Sequence, residues 1–172
     1  MSKSVKFWDR MANRADPQDA SIGGIEIKTV ELTKKYLKMS DTVLDYACGT
    51  GSMTIEITNH VKAVQAMDIS ARMIEVVKER ARHQKIENIH FVQGTLFDAP
   101  YEDESLDVVL AFNILHLLEE PHMAIQKIHA LLKPGGIFIS ATACLGESTL
   151  LVHVGGSFSS LINSESCEES TH

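Results

Sequence analysis

Two carboxylates and a glycine-rich segment are the residues of this chain whose types and spacing best suit ligand binding. Asp45 lies at the end of an apolar run, and the segment Cys48-Gly49-Thr50-Gly51 follows shortly after it. Glycines in such a turn let the backbone approach a ligand where a Cβ would collide. Asp68 lies seventeen residues beyond Gly51, at the end of another apolar run. An acidic residue near that distance can accept hydrogen bonds from both hydroxyls of a ribose, so the spacing predicts a nucleoside pocket.

Alternating strand and helix patterns must position these residues. Apolar, β-branched runs predict strands at 42–47, 63–69, 89–93, 106–113 and 136–142, with helical patterns between them at 52–60, 70–83 and 121–132. Ser70 suits a helix cap, Pro121 suits a first helical turn, and Pro134-Gly135-Gly136 ends the last helix. Repeated βα units imply a parallel sheet with helices on both faces. The sequence therefore predicts a Rossmann-like, doubly wound, mostly parallel α/β sheet of five to six strands.

Composition narrows the class of protein. A chain of 172 residues suits one domain, and a net charge of -7 disfavours nucleic acid as a partner. No apolar run approaches the roughly 20 residues that a membrane span needs, and the first residues lack the apolar core of a secretory signal. The three cysteines are odd in number and widely spaced, which favours reduced thiols over disulfides or a metal site. These features predict a cytoplasmic protein without a metal.

Four motifs and the end of a predicted helix follow one another along the chain: Leu44–Gly51, Met67–Ser70, Phe91–Leu96, Leu106–Val109 and Leu132–Gly136. In this order and spacing they resemble the class I S-adenosylmethionine-dependent methyltransferases, nearest to the small-molecule branch sometimes called type 11. The resemblance runs from about residue 22 to residue 143. It implies that S-adenosylmethionine is the cofactor, and that its methyl group moves to a small-molecule acceptor by in-line displacement.

The resemblance also implies roles for individual residues. Asp45 would help to hold the cationic amine of the cofactor, Asp68 would accept both ribose hydroxyls, and Ile69 and Met73 would form an apolar wall. Where the family often has an acidic residue that accepts from the adenine amino group, this chain has Thr95, a weaker acceptor. The implied cofactor-binding residues are Asp45, Tyr46, Ala47, Cys48, Gly49, Gly51, Asp68, Ile69, Met73, Gly94, Thr95, Leu96 and Asn113.

His116 is the candidate catalytic residue. It follows the fourth predicted strand, on the rim where ligands bind in open α/β sheets, and a histidine can remove a proton near neutral pH. Two alternatives stay open: a packing or hydrogen-bonding histidine, and a transferase that only holds donor and acceptor in line. Cys48 is interpreted as a small residue in a crowded turn rather than as a nucleophile.

The two ends of the chain lie outside the motifs. Residues 1–20, with Phe7 and Trp8, are predicted to form a lid segment over the pocket of the cofactor-binding domain, residues 21–146. The family usually has seven strands ending in an antiparallel hairpin, but only 29 residues follow Ala143. Residues 147–172 are therefore predicted to be a short, partly disordered tail with at most one strand, at 149–154. Without a strand there, the fifth strand would be an exposed edge that could pair with a second copy in a homodimer.

Two other functions stay open. Gly49, Gly51 and Asp68 would also suit the nicotinamide dinucleotide of an oxidoreductase, but its third glycine or alanine falls on Thr54. The short C-terminal region raises the second alternative, a cofactor-binding pseudo-enzyme or truncated form without turnover.

Overall fold

A seven-stranded sheet organises the molecule, whose structure is a computed structural model. The structure describes residues 3–16, 23–98, 101–144, 147–154 and 160–163. The strands are β1 (Thr42–Tyr46), β2 (Ala63–Asp68), β3 (Ile89–Gln93), β4 (Leu106–Phe112), β5 (Leu132–Cys144), β6 (Glu147–Val154) and β7 (Ser160–Asn163), in the order β3-β2-β1-β4-β5-β6-β7. The first five strands are parallel to one another, whereas β6 is antiparallel to β5 and β7 is antiparallel to β6.

In the described ranges, five α-helices flank or precede these strands. They are α1 (Lys3–Ala12), α2 (Gly24–Lys34), α3 (Ser52–Ile57), α4 (Ala71–His83) and α5 (Pro121–Leu131), and short 3-10 turns follow α3 at Thr58–His60 and β4 at Leu115–Leu117. Ser70 caps α4 as predicted, because its hydroxyl accepts a hydrogen bond from the backbone N–H of Met73 at 3.1 Å. In the described part of the chain no helix is both long and apolar enough to cross a membrane.

Two apolar clusters bury the two faces of the sheet. Alternate residues of one strand enter different clusters: Val43 joins one and Leu44 the other, and Val108 and Val109 divide in the same way. Such a strand is buried on both faces, which explains its continuous apolar run in the sequence. The prediction of a doubly wound, mostly parallel sheet is confirmed.

The predicted number of strands is wrong. The sequence predicted five to six strands, with at most one after the fifth, but β6 and β7 complete a sheet of seven. The prediction allowed room for a crossover helix, whereas an antiparallel strand needs only a short connection from its neighbour. Consequently β5 is covered by β6 and is not an edge, and the edges are β3 and β7. The rest of the predicted disordered tail lies outside the described residues.

Asp107 ties the amino ends of two neighbouring strands together. Its carboxylate accepts a hydrogen bond from the Thr42 backbone N–H at 2.8 Å and contacts the Lys133 ammonium at 2.8 Å. Burial opposes ionisation of this carboxyl, but the Lys133 and Thr42 hydrogen bonds and the Lys133 charge lower its pKa overall. Asp107 thus fixes where β1 begins, at the end of the sheet away from the turn that follows Tyr46.

Candidate functional site

The turn after β1 is built from residues with left-handed backbone conformations. Ala47, Gly49 and Gly51 have φ values of 61°, 56° and 78°. This conformation is strained for Ala47 and easily adopted by the two glycines. A Cβ on Gly51 would lie 2.1 Å from Val77 of α4, whereas a Cβ on Gly49 would meet nothing within 4 Å. Gly51 therefore allows close helix packing, and Gly49 borders open space into which a ligand could fit.

Asp68 holds three segments together at the carboxyl edge of the sheet. One carboxylate oxygen accepts from the Gly49 backbone N–H at 3.0 Å, and the other accepts from the Ser70 N–H at 2.9 Å. Its backbone carbonyl accepts from the Gly94 N–H at 3.0 Å. Burial raises the pKa of Asp68, the Ser70 and Gly49 hydrogen bonds oppose the shift, and the nearby charge of Asp9 adds to it. Each carboxylate oxygen keeps a lone pair for a hydroxyl donor.

Asp45 is a buried carboxylate beside the same turn. It is 3% exposed and accepts a hydrogen bond from the Thr54 hydroxyl at 2.5 Å. Burial raises its pKa to about 6, the Thr54 hydrogen bond opposes the shift, and the charge of Asp68 raises it. At neutral pH an anion therefore lies beneath the turn, where a cationic group could offset the cost of burying it.

Thr54 also bears on the choice of cofactor. Its side chain is fully buried against Asp45 at the position where a dinucleotide fingerprint requires glycine or alanine. The local contacts of α3 therefore differ from those of a dinucleotide turn.

Arg80 is a residue of the candidate site that the sequence reasoning missed. This α4 side chain is 5% exposed and donates to the Thr50 carbonyl at 3.0 Å, the Thr50 hydroxyl at 3.1 Å and the Ser52 hydroxyl at 2.7 Å. It also donates to the Asp16 carbonyl at 3.1 Å. The missed signal was an arginine on the helix face that carries the apolar residues Val77 and Ala81. Arg80 ties the glycine turn to α4 and to the N-terminal segment.

Helix α1 lies against the start of α4. Ser70 donates to the Asp9 carboxylate at 2.6 Å, and Arg72 donates to the Asn13 side chain at 3.0 Å. Phe7 and Trp8 form an edge-to-face pair with ring centroids 5.0 Å apart. The N-terminal segment therefore contacts the residues immediately after Asp68.

The turns after β3 and β4 bring the remaining predicted residues to the same edge of the sheet. Thr95 follows Gly94 directly, and its hydroxyl donates to the Asp98 carboxylate at 2.7 Å. Leu96 is fully buried and Asn113 is exposed, with φ 53° and its N–H bonded to the Ala141 carbonyl at 2.7 Å. Tyr46 and Met73 are buried, and Ile69 is half-buried.

Two candidate reactive side chains have different surroundings. His116 is exposed in the 3-10 turn after β4, on the predicted rim. Burial raises the pKa of the Cys48 thiol well above its usual value, and the Asp45 and Asp68 charges raise it further. The thiol is therefore protonated at neutral pH and is a poor nucleophile.

Tyr101 was not predicted as a site residue. Its hydroxyl is buried without a hydrogen-bond partner among the described residues, and burial raises its pKa to about 12, with a smaller contribution from Cys48. Its ring packs against the cluster that contains Tyr46 and Leu96. A buried hydroxyl without a partner costs stability, so a bound ligand could supply the missing partner. Nothing in the sequence around Tyr101 signals this position.

Similarity to known proteins identifies the family. Residues 37–171 match the family model described as a methyltransferase domain. This chain belongs to the class I S-adenosylmethionine-dependent methyltransferases. It is 35% identical over 107 residues to a demethylmenaquinone methyltransferase of Staphylococcus haemolyticus, covering 60% of this chain and 44% of that protein. The methyltransferase domain thus spans less than half of that relative's length.

Solved structures share the fold of this methyltransferase domain. The YcgJ protein of Bacillus subtilis superposes with a TM-score of 0.64 at 24% identity, covering 67% of this chain and 50% of that one. The [4+2]-cyclase SpnF superposes with a TM-score of 0.70 at 20% identity, covering 81% and 59%. A neighbour named for cyclisation shows that the fold alone does not fix the reaction.

A second cleft lies away from the methyltransferase motifs. It has a volume of about 520 Å³ and is lined by residues of α3, the turn after it and the connection into β3, among them Ile55, Thr58, Asn59, Gln84, Ile86 and Asn88. None of the predicted site residues lines it. The described residues contain no cluster of histidine, cysteine or acidic side chains that could hold a metal ion.

The two glycines of the turn should respond differently to alanine. We expect Gly51→Ala to lower the free energy of unfolding by about 3 kcal/mol, because it adds overpacking against Val77 to left-handed strain. Gly49→Ala should cost only about 1 kcal/mol, since its Cβ meets open space. Urea unfolding followed by circular dichroism measures both values. Equal losses would contradict these separate roles.

Stability should depend on pH through Asp45. Its pKa is raised from 3.8 to about 6 in the folded state, so its favourable contribution is complete below pH 3.8 and is lost as pH rises through about 6. We expect Asp45→Asn to be more stable than the parent by about 2–3 kcal/mol at pH 8, with the difference shrinking towards pH 4. Urea unfolding at several pH values measures it, and a difference independent of pH would contradict the assignment.

Proposed function

We propose that this chain binds S-adenosylmethionine at the carboxyl ends of β1, β2 and β3 and transfers its methyl group to a small-molecule acceptor. The arrangement around Asp68 carries the proposal. The carboxylate is fixed by two backbone N–H groups, keeps lone pairs for two hydroxyls, and lies beside the open space at Gly49. A ribose diol needs that combination of a fixed acceptor and room for the sugar.

The other residues suit the remaining groups of the cofactor. Asp45 offers a negative charge to the cationic amine, and the backbone of Tyr46, Ala47, Cys48, Gly49 and Gly51 borders the methionine and ribose portions. Ile69 and Met73 supply an apolar wall for the ribose and adenine. Gly94, Thr95 and Leu96 lie where the adenine would extend from a ribose on Asp68, because Gly94 is hydrogen-bonded to that residue. Asn113 borders the pocket from β4.

When bound, the cofactor supplies a positively charged sulfonium whose methyl group is open to attack by a nucleophile. The chain's contribution is to hold that methyl group and the acceptor in line and to exclude water. Such positioning requires no base. His116 lies on the rim where a base for an acceptor hydroxyl would be needed, and its catalytic role stays a prediction. The buried Tyr101 hydroxyl is available to donate a hydrogen bond to a bound ligand.

The rim of the site favours an acceptor with an apolar body. Phe97, Leu117 and Met123 follow the carboxyl ends of β3 and β4 and are 59%, 49% and 45% exposed. Each offers exposed apolar surface after the carboxyl end of a strand, the edge of the sheet that is proposed to hold the cofactor. The relative from Staphylococcus haemolyticus is named for demethylmenaquinone, a quinone. We therefore propose an apolar ring compound of that kind as the acceptor.

Turnover, setting and assembly are parts of the same proposal. Because this chain spans less than half of that relative, a cofactor-binding form without turnover is the alternative, and methyl transfer from labelled S-adenosylmethionine to a naphthoquinol distinguishes the two. The free thiol of Cys48 supports a reducing, cytoplasmic setting.

A homodimer through the sheet would have to pair β3 or β7, and sedimentation velocity tests it: a monomer at every concentration would exclude this contact.

Cofactor binding should depend on Asp68. We expect the full chain to bind S-adenosylhomocysteine but not NAD, and Asp68→Ala to weaken binding at least about tenfold because the ribose loses its acceptor. Asp103→Ala is the control, since it removes an exposed acid that pairs with Lys127 at 3.3 Å. Calorimetric titration measures each affinity, and thermal unfolding checks that the variants are folded. Preferential binding of NAD, or an unaffected Asp68→Ala, would contradict the proposal.

The N-terminal segment should act as a lid over this pocket. Asp9 of α1 contacts Ser70, and Asn13, just after this helix, contacts Arg72, so the N-terminal segment lies beside the proposed ribose position. We expect deletion of residues 1–20 to weaken S-adenosylhomocysteine binding about tenfold through loss of this cover. The same titration applies, and unchanged affinity would rule out the lid.

A further inference from the structure

The turn after β3 contains a hydrogen-bonded pair that the proposed function leaves unexplained. The Thr95 hydroxyl donates to the Asp98 carboxylate at 2.7 Å and accepts from the Phe97 backbone N–H at 3.3 Å. Residues 96–98 form a turn rather than a helix, so the pair is not a helix cap. Asp98 is exposed, and its N–H donates to the Thr95 carbonyl at 3.2 Å, so the turn itself brings the carboxylate beside the Thr95 hydroxyl.

The contacts of the Thr95 hydroxyl determine what it can still do. A hydroxyl has one proton and two lone pairs. Its proton points to Asp98, and the Phe97 N–H occupies one lone pair. An ionised carboxylate is acceptor-only, so it holds the hydroxyl proton and prevents the rotor from turning. What remains is one lone pair, and Thr95 can offer a ligand an acceptor but not a donor.

The position of Thr95 indicates which ligand group it meets. Gly94 donates to the Asp68 carbonyl at 3.0 Å, and Thr95 is the next residue. A purine attached to a ribose on Asp68 extends towards this turn. An amino group on the purine edge would donate to the free lone pair, whereas an oxo group would face a second acceptor and be repelled.

We propose that Asp98 fixes the Thr95 hydroxyl as an acceptor, so that the site selects an amino-purine nucleoside over its oxo-purine analogue. This inference rests on the proposed function and names the residue that sets its base specificity. Asp98 acts through Thr95 and is a positioning residue. Thr95 and Asp98 together would take the place of the single acidic residue that the family often has at this turn.

The test compares S-adenosylhomocysteine with S-inosylhomocysteine, in which an oxo group replaces the amino group. The quantity measured is the ratio of their dissociation constants, by calorimetry on the full chain. We expect the parent to prefer the adenine compound by at least about a hundredfold, because a polar site rejects a mismatched partner strongly. In Asp98→Ala the ratio should fall at least about tenfold, the worth of one hydrogen bond, because the freed hydroxyl can turn and donate to the oxo group.

Two further variants complete the design. Thr95→Val removes the hydroxyl and should lower the ratio as far as Asp98→Ala does. Glu102→Ala removes an exposed acid from the same connection and should leave the ratio unchanged, which controls for charge. If Asp98 only stabilised the turn, its loss would weaken both ligands equally and preserve the ratio, and that result would overturn the inference. Failure of the parent to bind S-adenosylhomocysteine would instead contradict the proposed function itself.

Discussion

The Asp68 carboxylate is the constraint on which the carboxyl edge of the sheet depends. Through its side chain and backbone it bonds Gly49, Ser70 and Gly94, so one residue fixes the turns that follow β1, β2 and β3. Ser70 in turn caps α4 and donates to Asp9 of α1. Hydrogen bonds to a charged acceptor are stronger than those between neutral groups. The three turns are therefore held in place before a ligand arrives.

This arrangement places uncompensated negative charge in a buried position. The pKa values of both Asp45 and Asp68 are raised by burial, and each carboxylate has another acidic group as a neighbour. A structure selected for stability alone would not keep two such carboxylates close together. A ligand that carries a cation and a diol would offset the cost of burying the two carboxylates. That cost is therefore connected with the proposed use of the site.

The sequence predicted the strands, turns and helix cap around the candidate site better than it predicted the end of the fold. Local features such as the strand before Gly49 and the cap at Ser70 depend on residues that are neighbours in the chain. The sequence pattern could therefore predict them. Arg80 could not be placed in this way, because its partners, Thr50 and Ser52, lie across a helix interface. The orphaned Tyr101 hydroxyl is likewise visible only after packing. After the fifth strand the sequence predicted at most one strand, at 149–154, and missed β7, because each of these strands depends on pairing with the strand before it rather than on its own composition.

We propose that the cofactor binds beside Asp68 and not in the second cleft. Backbone amide NMR of the full chain with added S-adenosylhomocysteine tests it most directly. We expect large shift changes at the amides of Gly49, Ser70 and Gly94, with little change at residues 84–88. Changes confined to residues 84–88 and the turn after α3, which line the cleft of about 520 Å³, would contradict it.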